Sequence, residues 1–441
     1  MLGARLRNWG FWAQDRFHGS PIRRHCQDIE TRLRSGQPST DLLEGILGFA
    51  VKHTPFYAPC KGFSSLQDFP VINKNTIKGH YADFKSDAFP GVHLHSMHTS
   101  GSTGTPFEVL QDPEKRRRVQ AEVIVFGQRA GYELGDRFVY TRVWTDLNRK
   151  SWSSALRDNM IPFDISSMED SRLETLRTLL KKNKNIKSML GYPSTYGPLA
   201  WYLERMGDSP DAFHLETIIA ISEKLPTPVR ESLRARFGCK VVARYSNQEN
   251  GILAQQCLDH DEYHLNTASY AFEFLQLDSD LPAMVGEPAR MVVTDLFNRA
   301  MPMIRYDTGD VVIRQASSTC GWATETLSDI EGRREDFIYD TQDRLLSPSV
   351  PGLYFWRFTQ LKQIQFIQEG KGQYRIMLNG ASEHYRDQEF IDLAKGFLGQ
   401  DAVVFVTHVD EIPMLASGKF KAIMSRYTPT AEPSTLATSS K

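Results

Sequence analysis

The 441-residue chain is poor in cysteine, in net charge and in long apolar runs. Its five cysteines, Cys26, Cys60, Cys239, Cys257 and Cys320, are scattered, which excludes a disulfide-stapled scaffold and fits a reducing compartment. A formal net charge of −1 leaves no global field to gather nucleic acid or an acidic polymer. No apolar stretch reaches the length that spans a bilayer. At the N-terminus Arg5, Arg7 and Trp9 interrupt any signal-peptide core, so the expected location is cytoplasmic, without stable membrane insertion. Leu2, Leu6, Trp9 and Trp12 do recur at helical spacing. The expected role of that stripe is docking on the protein's own core, with a membrane-surface helix as the alternative.

What is present is ordinary globular material, with 24% charged residues and length enough for two or three domains. Residues 1–90 read as helical and loop-rich. The stretch "EKRRRVQAEVIVFGQRAGY" predicts a helix with Val119, Val123 and Phe126 on its apolar side. "DRFVYTRVW" reads as β, and residues 168–185 predict a helix striped by Leu173, Leu176, Leu179 and Leu180. "TIIAIS" and "KVVARYS" flank the helical "PVRESLRARFG", the pattern of a βαβ unit with parallel strands. "ARMVVTDL" and "GDVVIRQ" have shorter connections and predict an antiparallel region. The expected class is α/β. A large N-terminal domain of βαβ layers with a β-rich subdomain covers 1–335, a small mobile α+β lobe 336–427 and a disordered tail 428–441.

One loop stands out. "HTSGSTGTPFEV" (98–109) gathers hydroxyls and glycines that can form a nest of N–H and O–H donors, although it lacks the lysine ending of a Walker loop. Taken alone it is also ordinary loop composition. Four further stretches follow it in order: "YSNQENG" (245–251), "RYDTGD" (305–310), "IEGRREDF" (330–337) and "PMLASGKFK" (413–421). Together with "FPVINKNTI", "GYPSTYGPLA" and "IAISEKL", this series resembles the adenylate-forming superfamily. It is most similar to the phenylacetate–CoA ligase branch and its shorter relatives encoded with capsule-polysaccharide genes.

The resemblance implies a role for each motif. Thr99, Ser100, Gly101, Ser102, Thr103 and Gly104 would cradle the departing phosphates of ATP, with Phe107 where many relatives carry lysine. Glu249 would hold Mg²⁺, whose preference is for hard oxygen ligands. Tyr245 would stack on adenine, with Ser222, Glu223 and Lys224 along the base's other edge. Ser246 and Gln248 depart from the relatives' Tyr-Gly-x-x-Glu. Asp310 and Arg333 would bind the ribose, Asp336 would mark the hinge, and Lys419 would reach the acyl carboxylate and the α-phosphate. Some members of the branch also hold zinc. Here Cys257, His264 and Cys320 would supply three ligands, with His260 nearby and Ser318 replacing a cysteine; a buried cysteine pair is the alternative.

The function so implied is activation of a small-molecule carboxylate by ATP. The acyl-adenylate would pass its acyl group to coenzyme A or another thiol or amine acceptor. Acyl or aminoacyl transfer in polysaccharide decoration, adenylyl transfer, and a non-catalytic nucleotide-binding scaffold stand as alternatives. The resemblance leaves the oligomeric state open, with a homodimer as one assembly found among relatives. Trp144, Tyr192 and Tyr196 fit either the border of an acyl pocket or a core.

Overall fold

The computed structural model describes residues 2–99, 107–144, 150–165, 169–315, 320, 322–333, 337–346, 351, 355, 358, 361–380, 385–413 and 421–427. The chain begins with helices α1 (Leu2–Phe17), α2 (Pro21–Ser35), α3 (Thr40–His53) and α4 (Lys74–Gly79). Strands β1 (His95–Thr99) and β2 (Phe107–Gln111) pair antiparallel around residues 100–106. Helix α5 (Pro113–Arg129) follows, started by Asp112, which accepts from the Glu114 and Lys115 amides while Pro113 occupies the first turn.

The central layer then alternates as the βαβ reading expected. Its elements are β3 (Arg137–Arg142), α6 (Trp152–Arg157), β4 (Met160–Asp164), α7 (Asp170–Lys182), β5 (Ile186–Gly191), α8 (Pro193–Met206), β6 (Thr217–Ile221), α9 (Thr227–Phe237) and β7 (Lys240–Asn247). Five strands run parallel in the order β7-β6-β5-β3-β4. Strands β8 (Gly251–Gln256), β9 (Tyr263–Leu265), β10 (Tyr270–Leu275), β11 (Pro288–Asp295), β12 (Tyr306–Gln315) and β13 (Thr326–Arg333) extend the same sheet antiparallel, to eleven strands. Helices cover both faces of the parallel part, which is why "TIIAI" in β6 is apolar throughout. Ile218 joins the cluster under α7, α8 and α9, while Ile219 joins Ala130 and Val242 on the α5 side. Each such isoleucine contributes about 1.5–3 kcal/mol on burial.

Toward the C-terminus come β14 (Ile338–Tyr339), β15 (Leu345–Leu346), β16 (Leu361–Gly370), β17 (Gln373–Gly380), α10 (Asp387–Leu398), β18 (Val403–His408) and β19 (Ile423–Ser425). The last four strands form a sheet in the order β18-β17-β16-β19. That sheet and α10 enclose Phe366, Ile376, Leu378, Phe390, Ala394 and Leu398, the α+β arrangement expected of this segment. Residues 428–441 lie outside the described residues.

Two sequence expectations are corrected. In α5 the apolar side is expected at Val119, Val123 and Phe126; Phe126 is buried, yet Val123 is 46% exposed and the face turned inward also carries Lys115, Arg118 and Glu122. These charges are buried because each finds a partner: Lys115 lies 2.6 Å from Asp295, Arg118 lies 2.6 Å from Asp28, and Glu122 accepts from the Ile252 amide at 3.2 Å. In α1, Phe11 and Trp12 pack on the core, whereas Leu6 and Trp9 are exposed. The apolar stripe of this helix is therefore only partly docked.

Candidate active site

The site grows from the tight β7–β8 hairpin. Asn247 accepts from the Asn250 amide across the turn at 2.8 Å, and Gly251 follows at φ +131°. A Cβ at Gly251 would stand 2.6 Å from Glu122 Oε2 and 2.9 Å from the Tyr270 hydroxyl, so only glycine fits there. This turn carries Glu249 inward to 2% exposure. Its backbone carbonyl accepts from Gln111 Nε2 at 3.1 Å, its Oε1 accepts from the Tyr306 hydroxyl at 2.9 Å, and Lys74 Nζ lies 3.3 Å from the same oxygen. Asn73 caps the short α4 through the Asn75 and Thr76 amides, which fixes Lys74 in the first turn.

Beside it stands a second carboxylate. The Tyr245 hydroxyl donates to Asp310 Oδ2, and Asp310 is the register partner of Arg333 across β12 and β13. Burial pushes the Asp310 pKa up, against the Tyr245 hydrogen bond and the charges of Arg333 and Lys74, while Glu249 adds to the rise. The Tyr245 and Tyr306 phenols are both driven well above their usual range by burial beside these carboxylates. Glu249, Asp310, Tyr245, Tyr306, Lys74 and Arg333 thus form one charged constellation at the end of the parallel strands. In open α/β sheets this edge is where ligands bind.

The motif after β6 is held by the protein itself. Ser222 takes a left-handed φ of +70°, a conformation that costs a non-glycine residue strain. Glu223 accepts from the Ser194 amide at 2.9 Å and hydroxyl at 3.1 Å, at the start of α8. Lys224 pairs with Asp329 at 2.6 Å. Thr99 ends β1, but its side chain, the residues Ser100, Gly101, Ser102, Thr103 and Gly104, and Asp336 and Lys419 lie outside the described residues. Lys74 and Tyr306 were not singled out from sequence. The signal for Tyr306 was the strand period, since positions 306 and 310 of β12 fall on one face.

A separate cluster joins Cys257, His260, His264 and Cys320, whose candidate ligand atoms all lie within 4.8 Å of one another. Cys320 Sγ is 3.2 Å from His264 Nε2, and Cys257 Sγ is 3.5 Å from His260 Nδ1. Thr324 Oγ1 lies 3.1 Å from His264 Nδ1, which orients the other ring nitrogen toward the sulfur. Two thiols and two imidazoles are donors that a closed tetrahedral zinc site can use, with His260 as a fourth candidate beside the three named from the sequence.

No protein-family model matches the chain. It is 24% identical over 337 residues to a phenylacetate–coenzyme A ligase of Thermus thermophilus, covering 70% of this chain and 74% of the relative. A second phenylacetate–coenzyme A ligase, from Aromatoleum evansii, is 25% identical over 286 residues, covering 63% of each chain. Among solved structures, a 2-hydroxyisobutyryl-CoA ligase in the postadenylation state with R3-HIB-AMP superposes with a TM-score of 0.69 at 18% identity, over 90% of this chain and 91% of that one. A benzoate CoA ligase from Burkholderia xenovorans gives 0.53 at 12% identity, over 76% and 68%. The fold is that of the adenylate-forming acyl-CoA ligases. In sequence the chain is similar, at 24–25% identity, to the two phenylacetate–coenzyme A ligases.

Proposed function

We propose that the protein is an ATP-dependent, AMP-forming ligase that couples a carboxylic acid to coenzyme A. A carboxylate oxygen of the acid attacks the α-phosphorus of ATP, the α–β bridging oxygen leaves with pyrophosphate, and the acyl-adenylate remains. The thiol of coenzyme A then displaces AMP to give the thioester. The observation that carries this reading is the pair of carboxylates, buried Glu249 and half-buried Asp310, fastened by Tyr306 of β12 and Tyr245 of β7. Interacting carboxylates with a pKa perturbed in this way mark a functional-site candidate.

In this reading Glu249 presents oxygen to Mg²⁺ on the phosphates, Asp310 accepts from the ribose hydroxyls, and Arg333 approaches the same sugar. Thr99 and residues 100–104 offer donors to pyrophosphate, and Lys419 offsets charge at the α-phosphorus. Lys74 joins the set as a cation beside Glu249. Zinc bound by Cys257, His260, His264 and Cys320 would brace β8, β9 and the segment before β13 without entering the chemistry. The test is isotope exchange between pyrophosphate and ATP, dependent on an added acid, followed by mass spectrometry of the product with coenzyme A present. Exchange with no thioester would move the acceptor to another amine or thiol. A product carrying covalent AMP would overturn acyl transfer.

A further inference from the structure

The parallel strands carry a row of donors that the reaction outlined above does not use. Thr141, Gly191, Ala220 and Ala243 are in register across β3, β5, β6 and β7. One residue further on, at the C-terminal ends, stand Arg142 on β3 and Arg244 on β7, with Ile221 the partner of Arg244. Strand period places Tyr140, Arg142 and Trp144 on one side of β3, the side that faces away from Thr141. The order β5-β3-β4 makes β3 the point where successive connections leave in opposite directions, and the crevice of a doubly wound sheet opens at such a point. Gly191 keeps that point close-packed, since a Cβ there would lie 1.8 Å from Thr141 Oγ1.

Donors outnumber acceptors there; the Tyr140 and Tyr192 phenols hydrogen-bond Arg142. The Arg142 guanidinium lies 5.3 Å from the centre of the Trp144 ring and 5.5 Å from that of Tyr140. Arg244 Nε donates to Gln255 Oε1 at 2.8 Å. Arg142 Nε, Trp144 Nε1 and Arg244 Nη2 are shut off from solvent, and none of them finds an acceptor among the described residues. Neither arginine has an ion pair with a carboxylate of the described residues. Asp164, the register partner of Arg142 on β4, turns Oδ1 to the Trp144 amide at 3.0 Å. Burial holds the Arg244 pKa down to about 10, opposed only by the Tyr140 phenol. Tyr140 in turn is raised by its own burial, with both guanidiniums pulling it back, so it stands between them. A guanidinium does not shed its proton, and donor atoms shut off from solvent and left unpaired are rare in native proteins. The missing partner must bring acceptor oxygens and negative charge.

The geometry points to an acid with a second carboxylate: Arg142 and Arg244, with the Trp144 indole, hold the far carboxylate of a dicarboxylic acid while its near carboxylate is adenylated. This assignment rests on the ligase reading and names its substrate class. The adenylation constellation sits where Tyr245 faces Asp310, whereas Arg244, the residue before it on β7, points to the opposite side of the sheet. One molecule reaching over the strand ends meets both.

The experiment compares linear dicarboxylic acids of graded length with the monocarboxylic acids of equal length, by acid-dependent pyrophosphate–ATP exchange. The best diacid should exceed its monoacid in kcat/KM by about 100-fold or more. Arg244→Met should remove most of that preference while leaving monoacid exchange within about threefold. Arg142→Met, on a different strand, should do the same, so a folding defect in one variant does not decide the outcome. Arg244→Lys should recover part of the diacid rate. Exchange that favours monoacids, or a preference unmoved by both methionine variants, overturns the diacid assignment and leaves adenylation standing. Exchange with no acid of either kind, from protein that still binds ATP by calorimetry, overturns both.

Discussion

Replacing Tyr306 by phenylalanine removes one oxygen from the core of the site and tests what holds Glu249. The hydroxyl donates to Glu249 Oε1 at 2.9 Å, the ring is fully buried, and the carboxylate is 2% exposed. A hydrogen bond to a charged group of this kind is worth about 1.5–3 kcal/mol. Lys74 remains at 3.3 Å, but its side chain is 33% exposed and water weakens its hold, so it only partly replaces the lost donor. Tyr306→Phe should therefore cost about 2 kcal/mol in urea unfolding. In a Glu249→Met background the same change should be neutral or slightly stabilising, because the hydroxyl is then the unpaired buried group. If Glu249 is the metal carboxylate, pyrophosphate exchange in Tyr306→Phe should fall about 10–30-fold, the kinetic equivalent of that energy, and more Mg²⁺ should be needed for half-maximal rate. Equal costs of Tyr306→Phe in both backgrounds would refute the coupling, and an unchanged Mg²⁺ requirement would refute the role of the carboxylate.

Other outcomes follow from the same geometry. Lys419→Ala should slow acyl-adenylate formation by about 100-fold or more while calorimetric ATP binding stays nearly intact; unchanged adenylation removes Lys419 from the mechanism. Tyr245→Phe strips a hydrogen bond that opposes the burial-driven rise of the Asp310 pKa, so that pKa should climb further. A carboxyl whose folded pKa is raised loses stability as pH rises from the ordinary carboxylate range through the raised value. The variant should accordingly be weaker than the parent at pH 7, with the gap closing as pH falls through that window; a gap independent of pH counts against the reading. Metal analysis of purified protein should find about one zinc per chain, and Cys320→Ser should release it and lower the melting temperature. Stoichiometric zinc surviving in that variant would place the metal elsewhere.

The parts of the site visible in the sequence were those whose chemistry restricts residue type. Glu249 and Asp310 stood out through the series of motifs that resembles the adenylate-forming superfamily; alone, each reads as an ordinary solvated or turn carboxylate. Lys74 did not, since a lysine at the start of a short helix looks solvated until the fold brings residue 249 beside it. His260 was seen only as a neighbour of His264; the hairpin between β8 and β9 is what turns it toward Cys257. The βαβ order was legible from apolar runs of strand length alternating with helical stripes. The inner face of α5 was not, because Lys115, Arg118 and Glu122 carry every mark of an exposed surface and are buried only through partners far along the chain. Arg142 and Arg244 were hidden for the same reason, as single charges at strand ends.

The buried face of α5 also bears on how the chain can be made. Its partners are Asp28, Ser269, Tyr270 and Asp295, together with the backbone at Ala268 and Ile252. Docked before β10 and β11 exist, the helix would carry the Lys115 ammonium into the interior without Tyr270 and Asp295, at a cost of several kcal/mol. During synthesis α5 must therefore wait for more than 150 further residues, with |i−j| reaching 155 for Lys115 and Tyr270. The parallel strands that emerge meanwhile have one of their faces uncovered. A ribosome-bound nascent chain ending near residue 260 should leave α5 open to protease, and one extended past Asp295 by the length of the exit tunnel should close it.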